Sequence, residues 1–249
     1  MPKNKTILII KKFAFTGIKM LVLFHIILLE EVLIMKTISV WSPCGGSGKT
    51  TVSLLVAGAL KARGFNVVLF DIANNLDALD IGSRNKLGFP VYSGEDESTI
   101  EAVKNSSVDF TIVDYDIDVS ISDDSDLVII PVRPSVLHMK KLNSSSEEFS
   151  HLNCLPVFNL ADTSREEHKK IYSSKGDWPV LKNRALYERM IAACTTVFSQ
   201  EAESWAAVKP TRDEVDLLVD LALYKLENKL PANKERMQKV MNKLGSSAI

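Results

Sequence analysis

Cysteine is scarce. Cys44, Cys154 and Cys194 are the only three in 249 residues, and they form neither a CxxC pair nor a Cys/His cluster. That argues against a disulfide framework or a cysteine-ligated metal, and it fits a reducing cytoplasm. An excess of charge of one sign is also missing. Thirty basic and 31 acidic residues leave a net −1, so no whole-chain field selects nucleic acid or an acidic membrane. Any such contact must come from a local patch. There is no internal repeat. Aromatic residues are absent after Tyr224, which removes a stacking platform for single strands. What remains, 46% hydrophobic and 24% charged, is globular composition with enough apolar material for one sizeable core.

Residues 1–34 differ from the rest. Phe13–Leu29 is mostly apolar but is interrupted by Lys19. It is shorter than the roughly 20 apolar residues of a membrane span, and no small-residue cleavage site marks a secretory signal. A third reading is that translation begins at Met35. Glu30-Glu31-Val32 can be encoded by a purine-rich stretch resembling a ribosome-binding site at a suitable distance. Met35 is the preferred start, with a membrane anchor as the alternative. Without residues 1–34 the net charge becomes −4.

From Met35 onward, strand and helix patterns alternate. Thr37–Trp41, Val67–Asp71, Phe110–Val113, Leu127–Ile130 and Leu155–Phe158 read as continuous apolar strands. Lys49–Arg63, Ile100–Lys104, Ser135–Phe149, Thr163–Tyr172, Arg184–Cys194 and Glu214–Leu226 read as helices, with Gly64 ending the first. Gly82–Ser98 reads as an irregular loop. Apolar strands alternating with helices predict an α/β fold whose parallel sheet is covered on both faces.

The strongest motif is Pro43-Cys-Gly-Gly-Ser-Gly-Lys-Thr-Thr51, between a strand and a helix. Gly45, Gly46 and Gly48 let the backbone turn its N–H groups onto phosphate oxygens, with Ser47 between them. The following helix adds its positive N-terminus. Lys49 is suited to the β- and γ-phosphates, and the Thr50 hydroxyl, followed by Thr51, to Mg²⁺. The general phosphate-loop pattern would place a glycine at Pro43, so the motif is a deviant version.

With its Gly-Gly-Ser-Gly-Lys-Thr core, the loop resembles that of the ParA/MinD family, K-G-G-x-G-K-T. The resemblance spans about Lys36–Leu226 and implies a P-loop ATPase that binds ATP and Mg²⁺ and works as a homodimer. Cys44 stands where the family carries a lysine that reaches the partner's nucleotide. It reads best as a small residue tolerated in a tight loop, although an empty loop could lower its pKa. Val67–Asp71 resembles the second strand, and Asp71 matches its first acid. Ala73 stands where the family's second acid orients water, and Asn75 replaces a glutamine. Asp109–Asp114 resembles the Walker B strand, with Asp114 near Mg²⁺. Asp116 reads most simply as a solvated loop carboxylate; its alternative is a substitute for the acid missing at Ala73. Leu155–Asn159 resembles a strand ending in an adenine-contacting asparagine, which makes Asn159 a candidate base reader. Trp178–Arg184 resembles a family segment near the base and dimer face.

The resemblance implies catalytic or nucleotide roles for Lys49, Asp71 and Asp114. The changes at Cys44 and Ala73 predict slow or partner-dependent hydrolysis, since a lost electrostatic donor costs on the order of 10²–10³ in rate. Residues 35–226 would form the ATPase domain and 227–249 a basic tail. Lys225, Lys229, Lys234, Arg236, Lys239 and Lys243 outweigh Glu227 and Glu235. They form either a solvated helix face or a non-specific contact to the DNA backbone, which Arg184 and Arg189 could extend. Two functions fit: a partition or positioning ATPase with an adaptor or stimulating protein, cytoplasmic and nucleoid-associated, or a localisation scaffold for pilus, secretion or conjugation machinery with little turnover. No membrane contact is expected of the partition ATPase, whereas the scaffold would meet its protein partner at the pole or membrane. Mass spectrometry of the native N-terminus should find a chain beginning at Met35; any peptide from residues 1–34 would contradict that start.

Overall fold

Seven strands form one sheet in the computed structural model, which describes residues 35–121 and 124–227. The proposed leader, residues 1–34, lies outside the described residues. So do Lys229, Lys234, Arg236, Lys239 and Lys243 of the basic tail. The strands are β1 (Lys36–Val40), β2 (Val67–Asp71), β3 (Val91–Ser93), β4 (Phe110–Asp114), β5 (Leu127–Val132), β6 (Cys154–Ala161) and β7 (Val180–Lys182). Their order is β3-β2-β4-β1-β5-β6-β7, and every pairing is parallel.

The apolar runs are continuous because both faces of the sheet are covered. In β5 all six residues are buried. Leu127 and Ile129 join the larger core, while Val128, Ile130 and Val132 join a second core on the opposite face. This is the alternation of a strand applied to a two-sided layer.

Eight α-helices connect the described strands or follow them: α1 (Lys49–Ala62), α2 (Asp77–Gly82), α3 (Glu97–Lys104), α4 (Val136–Ser144), α5 (Ser146–Phe149), α6 (Glu166–Ser173), α7 (Ala185–Ala192) and α8 (Val208–Glu227). In α1, Val52 through Leu60 are all buried. It packs between the sheet and α8, whose Val215, Leu218, Val219 and Ala222 share its core. Arg63, just past α1, fixes this pairing with 2.8 Å bonds to Asp216 and Asp220 of α8.

Three sequence expectations change. Gly82–Ser98 is not irregular throughout: it contains β3 and the start of α3, where the Asp96 side chain accepts the Thr99 N–H as a cap. β3 has three partly exposed residues, too few for an apolar run. The helix expected at Ser135–Phe149 is divided into α4 and α5 at Ser145. Around the break, the Ser144 and Ser146 hydroxyls donate to the Lys141 and Asn143 carbonyls, offering the backbone local partners outside a regular helix. The last helix starts at Val208 rather than Glu214. Pro210 masks this start but is tolerated in a first turn, where its missing N–H costs nothing.

Candidate nucleotide and magnesium site

Parallel strands deliver all their carboxyl ends to one edge of the sheet. In the register of β1, β4 and β2, Val40 pairs with Asp114 and Asp114 with Asp71. The chain leaves β1 at this edge, forms the glycine loop, and enters α1 at Lys49.

Gly48 is the N-cap of α1 with φ 83° and ψ 36°, a left-handed conformation that favours glycine. A side chain there would also collide with the Asn159 amide. Asn159, near the end of β6, donates its Nδ2 to the Ser47 carbonyl at 2.8 Å. Neither a capping side chain nor an acidic residue occupies the first turn of α1. Its free N–H groups and positive end therefore face outward, as an anion site requires.

The cleft in front of this helix has a volume of about 650 Å³. The phosphate loop and first turn line it through Gly46, Gly48, Lys49, Thr50 and Thr51. Ala73–Asn75, the helix α2, Asp116 and Ile191 form the remaining wall.

Asp114 lies under this cleft and is fully buried. Its Oδ1 accepts the Ser53 hydroxyl at 3.0 Å, and Ser53 Oγ also lies 3.1 Å from the Lys49 carbonyl. Burial pushes the Asp114 carboxyl up to about 7; the Thr50 and Ser53 hydroxyls and Lys49 oppose the shift, while Asp71 adds to it. Its Oδ2 is buried without a hydrogen-bond partner. An orphaned carboxylate oxygen beside a threonine hydroxyl at a helix N-terminus fits Mg²⁺, a hard cation that takes few protein ligands and keeps phosphates and waters. Among the described residues no group of three or more His, Cys, Asp or Glu could hold a metal, so a metal held entirely by such side chains is not indicated there.

Asp71 is also fully buried, but its oxygens are engaged. Oδ1 accepts the Ala73 N–H at 3.0 Å and Oδ2 the Leu79 N–H at 2.9 Å. Burial raises its pKa, and these N–H groups oppose the shift. It shapes the β2–α2 turn beneath the cleft.

The side chain of Cys44 turns away from the cleft. It is 2% exposed, and its Sγ points to the His138 carbonyl at 3.9 Å. Burial pushes its thiol up, against the sequence-based idea that the loop could lower it. Asn159, expected to read the base, is fully buried beneath Gly48 and braces the loop. Asp116 is a solvated loop acid with two backbone anchors. Its Oδ2 accepts the Asn74 N–H at 3.0 Å and its Oδ1 the Ile117 N–H at 2.6 Å, which hold its pKa below the usual carboxylate value and the group ionised on the cleft wall beside Ala73. Arg184, expected to be available to a basic patch, is instead paired: it forms a two-pronged bond to Glu214 at 2.5 and 2.8 Å. Arg189 stacks on Trp205, 4.6 Å from the ring centroid. Ser53 was not foreseen. Ser53's only sequence signal is a polar residue one turn after Lys49 in an apolar helix.

The model of the "CobQ/CobB/MinD/ParA nucleotide binding domain" family matches residues 38–246. The chain belongs to that family. Its fold is that of the ParA/MinD-type P-loop proteins. A candidate plasmid partition protein of Borrelia burgdorferi bound to AMPPNP superposes with a TM-score of 0.57 at 14% identity, over 76% of this chain and 99% of that one. MinD of Aquifex aeolicus gives 0.55 at 19% identity, over 74% and 97%. The ATP complex of a Cyanothece McdA variant gives 0.56 at 14% identity, over 76% and 96%. No curated protein sequence matches significantly.

The buried Asp114 predicts a pH signature for the nucleotide-free protein. Its folded pKa lies near 7, above the 3.8 of an unperturbed aspartate. The folded state therefore binds the proton more tightly, and this stabilisation is complete below about pH 3.8 and lost as pH rises to about 7. Asp114→Asn should flatten that part of the stability profile and raise Tm at pH 8. Thermal melts from pH 4 to 8 with an unchanged slope in the variant would contradict the assignment.

Proposed function

We propose that the protein is a ParA-like, ATP-dependent partition or positioning ATPase whose ATP-bound homodimer is the switch. The observation that carries this reading is the orphaned Asp114 oxygen beside Thr50, under a glycine loop at an uncapped helix N-terminus. Lys49 and the loop N–H groups would hold the phosphates, while Thr50 and Asp114 would hold Mg²⁺. Bound there, Mg²⁺ supplies charge neutralisation at the phosphates. Lys49, on the cleft wall, would meet the β- and γ-oxygens. Asp116, ionised beside Ala73, takes over the orientation of water, and Asp71 fixes the turn that carries both Ala73 and Asn74.

Residues 35–226 act as the ATPase domain from a start at Met35, and residues 227–249, with Lys225, as the DNA-contacting tail. Among the described residues no helix is long and apolar enough to cross a membrane. The protein works in the cytoplasm at the nucleoid, with an adaptor that stimulates release. One similar structure is that of a MinC:MinD cell division complex, which supports a protein partner.

A second reading is a nucleotide-binding scaffold with little turnover. Ala73 on the cleft wall and the buried, uncharged Cys44 favour it. ATP turnover of the full chain, with and without duplex DNA, separates the two. The partition ATPase predicts DNA-stimulated turnover that falls by at least roughly 10²-fold in Lys49→Ala. ATP binding with no turnover in either condition would replace it with the scaffold.

A further inference from the structure

Arg133 follows directly on β5, the strand beside β1, and so leaves the sheet at the edge where the phosphate loop begins. A Cβ built on Gly46 of that loop would find Arg133 Nη2 as its nearest neighbour, at 3.7 Å. The Arg133 backbone is held on both sides. Its N–H donates to His138 Nδ1 at 3.4 Å, and its carbonyl accepts the Ser135 N–H at 2.7 Å. The residue is nevertheless exposed. Arg63, Arg184 and Arg212 each meet a carboxylate at 2.8 Å or less; among the described residues Arg133 meets none. A guanidinium on an anchored backbone, with no carboxylate partner among the described residues and set against a phosphate loop, is a cation open to an anion.

The charges of the cleft show which anion. Among the described residues Lys49 is the only basic one on its wall, against Asp77, Asp80 and Asp116. Lys49 and Mg²⁺ together only offset these three carboxylates, which leaves even a nucleoside diphosphate with uncompensated charge. A triphosphate brings one more negative charge, and the loop has no second cation because Cys44 is buried and uncharged. Loop N–H groups enclose the inner phosphate. Arg133 stands beside the loop at Gly46 and not on the cleft wall, a position that suits a phosphate extending beyond the loop, and its planar fork suits two phosphate oxygens.

We propose that Arg133 binds the terminal phosphate of the nucleotide and gives the site its preference for nucleoside triphosphate over diphosphate, an inference that rests on the nucleotide-binding reading above.

Calorimetric titration of the full chain with Mg²⁺–ATPγS and Mg²⁺–ADP tests it, using wild type, Arg133→Ala and Arg133→Lys, with melting curves to confirm folding. Arg133→Ala should weaken ATPγS by about tenfold and leave ADP within about twofold, the size expected for one charge-assisted contact. Arg133→Lys should recover part of the loss. Equal weakening of both nucleotides would make Arg133 a brace of Gly46, and no change in either would remove it from the site; both results overturn the proposal. If wild type binds neither nucleotide, the proposed function fails and this inference falls with it.

Discussion

Strand register forces Asp71 and Asp114 side by side at a dry edge of the sheet, and the site is organised around that conflict. Two neighbouring carboxylates removed from water resist joint ionisation. Relief is unequal. Asp71 is surrounded by backbone N–H groups from the start of α2 and the turn before it. Asp114 has only side-chain hydroxyls, and one of its oxygens has no partner. The nearest remaining source of positive potential is the N-terminus of α1 with Lys49. A cation placed among Asp114, Thr50 and a phosphate would resolve both the orphaned oxygen and the raised pKa. The same geometry that strains the nucleotide-free protein therefore prepares it for a ligand.

The phosphate loop is held from below as well as shaped from within. Asn159 grips the Ser47 carbonyl, and its amide fills the place a Gly48 side chain would need. Cys44 packs toward α4 rather than the cleft. The loop thus keeps its cradle with an uncharged side chain at Cys44. On the opposite wall Ala73 leaves a space that the Asp116 carboxylate borders, oriented by the Asn74 N–H. Both departures from the family pattern leave the anion-binding architecture intact. They bear on turnover and on what lies opposite the terminal phosphate.

The parts of this site that were legible in the sequence are those made by consecutive residues. Three glycines, Lys49 and Thr50 declare their geometry within one loop, and Asp114 announces itself as the end of an apolar strand. The long strands and α1 were legible for the same reason. Contacts across the fold were not. Ser53 meets Asp114 across 61 positions and Asn159 meets Ser47 across 112, so no local pattern encodes either. The short edge strands β3 and β7 are three residues each, below the length at which periodicity carries information. The anchor of the loop acid Asp116, the Asn74 N–H, was not legible because it lies 42 positions away.

The central claim is that Thr50 and Asp114 complete a Mg²⁺ site only when phosphates arrive. ATP binding by the full chain, titrated with and without Mg²⁺ in wild type and Thr50→Val, tests it most directly. The account predicts that Mg²⁺ strengthens ATP binding by about tenfold or more in wild type, and that Thr50→Val loses this gain while keeping the Mg²⁺-free affinity. Equal affinities with and without Mg²⁺ in wild type would contradict it.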